Sequence, residues 1–249
     1  GKYHLLALES MKSVVHFEVA DKKKPNLPVA NYLLGLSYLS SEQNHLALGS
    51  FRVSVKLDPY FSEAELALAD LYYKQEEYDF SFEHAGRVCA REPENYRAHQ
   101  ILGNVLLARR RYDEAMLRFK AASFLDPKAV SPLYYMAMAS ELSGKTEEAL
   151  GLYWSLLEKN PKLADAGMRY ANLLIKTGEI EKAKRFFEQA LRKAPENAYL
   201  HHILGEVYLA GGNTKEGVAS FETSISIDQK LASSYLRLAK ILEKSGDWQ

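Results

Sequence analysis

The 249-residue sequence predicts an all-α fold, a solenoid of stacked antiparallel helix pairs, and three observations predict it. Pro25, Pro59, Pro93, Pro127, Pro161 and Pro195 recur every 34 residues, and only Pro28 and Pro132 fall outside that series. Two columns of small residues keep the same frame: Ser13, Ala47, Ser81, Ala115, Ala149, Ala183 and Gly217, then Gly35, Ala69, Gly103, Ala137, Ala171, Gly205 and Ala239. A mostly aromatic column runs beside them through Phe17, Phe51, Ala85, Phe119, Tyr153, Phe187 and Phe221. A fixed period of this length means that each unit buries its apolar face only by stacking on its neighbours.

In chain order, residues 1–27 carry Ser13, Phe17, Ala20 and Pro25 in register, and so read as the second half of a preceding unit. Full units follow at 28–61, 62–95, 96–129, 130–163, 164–197 and 198–231. Residues 232–249 read as the first helix of a further, incomplete unit that stops just past a turn at Gly246 and Asp247. A single array that begins and ends inside a repeat is expected to be a piece of a longer one. A natural array closes with a polar capping helix. Here the end carries Leu238, Ile241, Leu242 and Trp248, which makes end-to-end self-association through the cut faces an expectation.

The unit from 96 to 129 shows why each column exists. Apolar residues fall at helical spacing in two stretches, broken by the charged turn Arg109–Asp113. Later units place Gly144, Gly178, Gly212 and Gly246 in that turn, where a helix needs a left-handed exit. Gly103 and Ala115 are small because antiparallel helices approach closely only where neither carries a bulky side chain, and Phe119 fills the space between neighbouring pairs. Pro127 cannot continue the second helix, so Asp126-Pro127 is a stop signal, as are Asp58-Pro59 and Asn160-Pro161.

The pattern Leu102-Gly103, Ala115, Phe119, Ala122, Pro127 resembles the tetratricopeptide repeat, and the resemblance extends over essentially the whole chain. It implies a right-handed superhelix whose first helices line a concave groove that holds peptides or partner helices. There are departures. The bulky place that opens each first helix holds Asn31, Glu65, His99, Leu133, Gly167, His201 and Tyr235; Ala85 replaces an aromatic, and Gln229 stands where proline is expected. The Lys and Asn pair with which chaperone-docking members grip a terminal carboxylate is missing, because no corresponding pair here begins with Lys.

Composition narrows the function. Lys plus Arg and Asp plus Glu are 32 each, so the net charge is zero and no bulk attraction to nucleic acid or an anionic membrane is expected. The single cysteine, Cys89, excludes an intramolecular disulfide and a thiolate zinc cluster, and its place late in a second helix suggests a buried, inert thiol. No apolar run reaches membrane-spanning length and no targeting segment is recognisable, so the compartment, cytoplasmic or periplasmic, is left open.

No catalytic constellation emerges, and no cofactor or metal is expected. Gly211-Gly212 sits in a helical turn with no strand before it, unlike a phosphate loop. His201 and His202 are consecutive and point about 100° apart on a helix, so they cannot chelate one ion together. Lys22–Lys24 and Arg109–Arg111 are read as solvated helix ends.

By the resemblance, the groove should be lined by residues four apart on successive first helices: Tyr32 and Leu36, Leu66 and Asp70, Gln100 and Asn104, Tyr134 and Met138, Met168 and Asn172, His202 and Glu206. Around them stand Tyr73, Arg97, Tyr135, Asp165, Arg169 and Tyr199. Leu36, Leu66 and Tyr135 are equally consistent with ordinary inter-helix core. The function expected is a non-catalytic scaffold that binds a protein or peptide. The alternative is the repeat portion of a larger enzyme or of an envelope, secretion or exopolysaccharide assembly machine.

Overall fold

The structure, a computed structural model, describes residues 27–245. The Ser13, Phe17, Ala20 and Pro25 positions, Lys22–Lys24 and the Gly246, Asp247 and Trp248 positions lie outside the described residues. Thirteen helices fill the described chain. They are α1 (Pro28–Ser40), α2 (Asn44–Leu57), α3 (Ser62–Lys74), α4 (Tyr78–Arg91), α5 (Tyr96–Ala108), α6 (Tyr112–Leu125) and α7 (Val130–Leu142), then α8 (Thr146–Lys159), α9 (Ala164–Lys176), α10 (Ile180–Lys193), α11 (Ala198–Ala210), α12 (Thr214–Ile227) and α13 (Ala232–Ser245). The fold class is all-α, as the periodicity predicts. The described chain forms two compact units that divide between Pro132 and Leu133.

The first helices from α1 to α11 all leave through the same turn. The residue after its cap is left-handed: Glu42, Glu76 and Arg110 near φ 60° in the first unit, Gly144, Gly178 and Gly212 at φ 80° in the second. The amide that follows donates back to the third-last helical carbonyl, as in Glu77 N to Tyr72 O at 2.9 Å, Arg111 N to Leu106 O at 2.8 Å and Glu179 N to Leu174 O at 2.7 Å. This is the Schellman geometry, which satisfies carbonyls that would otherwise be orphaned. Glycine meets its conformational demand without a Cβ penalty, whereas the first unit forces glutamate and arginine into it.

The second helices end in two ways. Asp58, Asp126, Asn160 and Asp228 each accept the amide two residues on through Oδ1, at 2.9 to 3.2 Å. Asp228 does so although Gln229 follows it, so the turn survives without the expected proline. The other two turns read Pro93-Glu94-Asn95 and Pro195-Glu196-Asn197. Their asparagines cap the next helix, Asn95 accepting from Ala98 N at 3.0 Å and Asn197 from Tyr199 N at 3.0 Å.

The columns meet where the helix pairs cross. A Cβ built on Gly35 or on Gly103 would lie 2.5 Å from the ring of Phe51 or Phe119. The aromatic therefore lies directly on the glycine backbone, and Phe51, Phe119, Phe187 and Phe221 have no exposed surface. The first unit holds apolar clusters around Leu68 with Phe51 and around Leu102 with Val105; the second is built on Tyr153, Tyr170, Leu174, Phe187 and Ile203. No helix among the described residues is long and apolar enough to cross a membrane.

Candidate functional site

The polar side chains of the first helices are largely bonded to one another. In the first unit Arg97 of α5 pairs with Asp70 of α3. Gln100 of α5 donates to Ser131. In the second unit Arg169 of α9 donates to Glu141 of α7 at 3.0 Å, and Arg237 of α13 grips Glu206 of α11 with two nitrogens. Acid on one first helix and arginine on the next thus recur, and they clip neighbouring first helices together.

Glu141 is a shared acceptor. It also receives the hydroxyl of the buried Tyr153 at 2.7 Å. Burial, and then the bond to this carboxylate, push the Tyr153 phenol far above its ordinary range. Burial opposes charge on Arg169, but its bonds to Tyr134 and Glu141 outweigh that and raise it.

The expected groove residues fall into three groups. Asp70, Arg97, Gln100, Arg169 and Glu206 are committed to the bonds just described. Tyr32, Tyr73, Tyr134, Tyr135 and Met168 are half-buried; Tyr32 packs on Phe51 and Phe61 at 5.7 and 5.2 Å, Tyr73 on Tyr78 at 5.8 Å, and Tyr134 on Tyr135 at 5.5 Å. Asn104 and Met138 are half-buried, with the Asn104 Oδ1 enclosed and lacking a hydrogen-bond partner, while Asp165, Asn172 and Tyr199 are exposed. Leu66 is buried and Leu36 exposed.

His202 is only 5 % exposed and offers no groove surface. Its Nδ1 meets Ser234 Oγ at 2.9 Å and its ring lies 5.3 Å from Phe221. Burial holds this imidazole below its ordinary range, Glu206 pulling the other way and Arg237 adding to the depression. Serine at 234 provides a polar neighbour inside the stack, which makes the core the better place for this side chain.

Three members of the column of departures share an explanation. His99 Nε2 bonds the Pro93 carbonyl at 2.9 Å, His201 Nε2 bonds the Pro195 carbonyl at 2.8 Å, and Asn31 Nδ2 donates to Leu27 O at 3.2 Å. Asn31, His99 and His201 therefore tie the opening of a first helix to the chain before it, whereas Glu65 at the same place bonds the helix that follows. The signal was present as the repeated Pro-Glu-Asn-x-x-x-His at 93–99 and 195–201.

Sequence reasoning marked Glu65 as a departure but missed the network around it, although its carboxylate side chain is only 1 % exposed. Arg87 Nε and Nη2 reach its two oxygens at 3.0 Å each, and His84 also contacts it. Burial disfavours the charge, but the bonds from His84 and Arg87 outweigh it, so Glu65 sits below the ordinary carboxylate range. Tyr72 stacks on His84 at 5.5 Å and accepts from Arg52 at 2.7 and 2.9 Å, extending the network across α2, α3 and α4.

Two further expectations change in detail. Cys89 is half-buried, with Arg118 Nη1 at 3.7 Å and His99 Nε2 at 3.8 Å from its sulfur. Within the basic run, Arg109 pairs with Asp79 and lies over the Phe82 ring, and Arg111 pairs with Glu114. Among the described residues no group of three or more His, Cys, Asp or Glu side chains could hold a metal ion.

Comparison with known proteins agrees with this architecture. Profiles described as tetratricopeptide repeat match residues 66–130, 102–164, 142–207 and 198–231. The chain is 26% identical over 209 residues to anaphase-promoting complex subunit 3 of Schizosaccharomyces pombe, covering 83% of this chain and 31% of that one. It is 25% identical over 180 residues to the type IV pilus assembly protein PilF of Pseudomonas aeruginosa, covering 72% of this chain and 71% of PilF. A solved structure of Pseudomonas aeruginosa PilF superposes with a TM-score of 0.63 at 20% identity, over 86% of this chain and 97% of that one. This chain thus spans 31% of the yeast subunit.

Proposed function

Because the chain belongs to the tetratricopeptide repeat family, we propose that it is a non-catalytic scaffold which holds a peptide segment or helix of a partner protein along its first helices. The observation that carries the reading is the division of labour on those helices. Acid–arginine clips fix their spacing, while Asn104 in the first unit and Met138, Met168, Asn172 and Tyr199 in the second are left partly open between the clips. Methionine and tyrosine provide adaptable contact area, and asparagine bonds an extended backbone through both its donor and its acceptor.

Affinity capture from native lysate tests this, using the parent chain beside a variant carrying Met138→Ala, Met168→Ala and Asn172→Ala. The expected result is one protein retained by the parent and lost by a variant whose helical melting curve is unchanged. Equal retention by both would contradict the reading.

A second reading places the array in an envelope or secretion assembly apparatus. What favours it is the likeness to PilF, a type IV pilus assembly protein, over most of the length of both chains. The identity of the captured partner separates the two: a component of such an apparatus supports the second reading, and a partner outside any such apparatus contradicts it.

A further inference from the structure

One aromatic side chain is not explained by the repeat. Trp154 of α8 stands in a column otherwise made of Arg52, Gly86, Lys120, Glu188 and Glu222, so nothing in the stacking calls for an indole there. It remains 45 % exposed. It borders a cleft between α8 and α10 that is also lined by Leu157, Pro161, Phe186 and Ala190, by Gln189, and by one charge of each sign, Glu158 and Lys193. The Phe186 ring is held by Tyr170 at 5.0 Å and Phe187 at 5.1 Å, so this part of the cleft is preset.

Lys193 lines the cleft opposite Glu158, and the chain segments beside it carry further cations. Lys159 ends α8, Lys162 lies one residue past Pro161, and Arg192 precedes Lys193 at the end of α10; all four cations are exposed, and none makes an ion pair within the described residues. The carboxylates in the same two segments, 158–162 and 189–196, are Glu158 and Glu196, leaving four cations against two anions. Cations suit helix C-termini, yet the last turns of α6 and α12 hold none, so helix ends alone do not require Lys159, Arg192 and Lys193; Lys162 has repeat counterparts in Lys128 and Lys230. Elsewhere Arg97, Arg109, Arg169 and Arg237 are all paired.

We propose that this cleft, on the second helices of the second unit, is a separate docking surface for an acidic peptide segment of a partner protein. One aliphatic or aromatic anchor enters between Trp154 and Phe186, and flanking carboxylates meet Lys159, Lys162, Arg192 and Lys193. The anchor supplies affinity and the charges supply selection and encounter rate. The surface is independent of the first-helix face.

The test uses a short fluorescein-labelled peptide with one central Leu between Asp and Glu flanks, read by anisotropy against the whole chain. Peptides with the same anchor and Ser/Gly or Lys/Arg flanks are the comparison. Saturable binding of the acidic peptide alone is expected, weakening as salt rises. Trp154→Ala, and separately Lys162→Glu with Lys193→Glu, should each weaken it by about tenfold or more. Asn172→Ala on the first-helix face should leave it unchanged. A circular dichroism melt checks that each variant is folded, and the lysine pair, being exposed, keeps the test valid if Trp154→Ala unfolds. Equal binding of all three peptides, or no saturable binding, overturns the proposal. Sedimentation with phosphatidylserine vesicles through Trp154, without peptide binding, overturns it in favour of a membrane surface.

Discussion

The imidazole of His99 reaches back across a turn to the carbonyl of Pro93 at 2.9 Å, and His201 repeats the contact with Pro195 at 2.8 Å. These bonds hold the start of α5 and of α11 against the chain that enters them. His99 is 8 % exposed whereas His201 is half-buried. His99→Ala therefore loses both the bond and core volume, and should cost about 2–3 kcal/mol against ~1 kcal/mol for His201→Ala. Chemical denaturation midpoints of the two variants check the order.

Close approach between Gly103 and Phe119 sets a second prediction. The first methyl group added at Gly103 falls 2.5 Å from the Phe119 ring, so ring or helix must shift. Gly103→Ala should destabilise by about 1–3 kcal/mol through overpacking, and Phe119→Ala by about 3–5 kcal/mol through cavity formation. Because Ala171 already faces Phe187 in the same columns, Ala171→Gly should open space there rather than relieve strain, and lower stability. Thermal melts of the three variants distinguish these outcomes.

Left-handed turns provide the opposite case. Glu76 and Arg110 hold φ 61° and 60° where the second unit uses glycine. A non-glycine residue pays about 1–2 kcal/mol there, and glycine's greater freedom in the unfolded chain returns part of that. Glu76→Gly and Arg110→Gly should each raise stability by several tenths to about 1 kcal/mol. Gly178→Ala, at φ 80°, should lower it. Melting temperatures test all three substitutions.

Acid should unfold the chain in two stages. The folded His202 has a depressed pKa, so between that value and its ordinary 6.5 the unfolded chain binds more protons, and stability falls as pH drops below 6.5. Glu65 is also depressed, from 4.5; its contribution is present above 4.5 and disappears as pH falls through the folded value. His202→Gln should flatten the first stage. Glu65→Gln should remove the second and cost about 1–3 kcal/mol at neutral pH, a figure reduced for the 39 % exposure of Arg87. Denaturation free energies measured from pH 3 to pH 8, about the range over which these groups titrate, give both slopes.

Much of the fold was legible because stacking imposes one geometry on every unit. Gly103 and Phe119 must be small and large in any sequence that crosses helices there, and Asp126-Pro127 must stop a helix, so these positions betray themselves by period. The turn at Arg110 was legible as a turn but not as a strained one, since its glycine counterparts lie only in later units. Side-chain pairing was harder to read. Nothing in the spacing of Glu141 and Arg169, 28 residues apart, differs from that of two unpaired surface charges until the helices are placed. His202 looked like a groove residue because it sits four before Glu206, yet one helix position turned toward Ser234 is core. Glu65 could have been suspected, as a carboxylate in a packing column with His84 and Arg87 on the following helix.

Amide hydrogen exchange, with and without the protein segment recovered by affinity capture, tests the central claim most directly. A scaffold that holds its partner along the first helices predicts slowed exchange in α7, α9 and α11 and little change in α8, α10 and α12. Protection confined to the second helices, or spread over neither set, would contradict it.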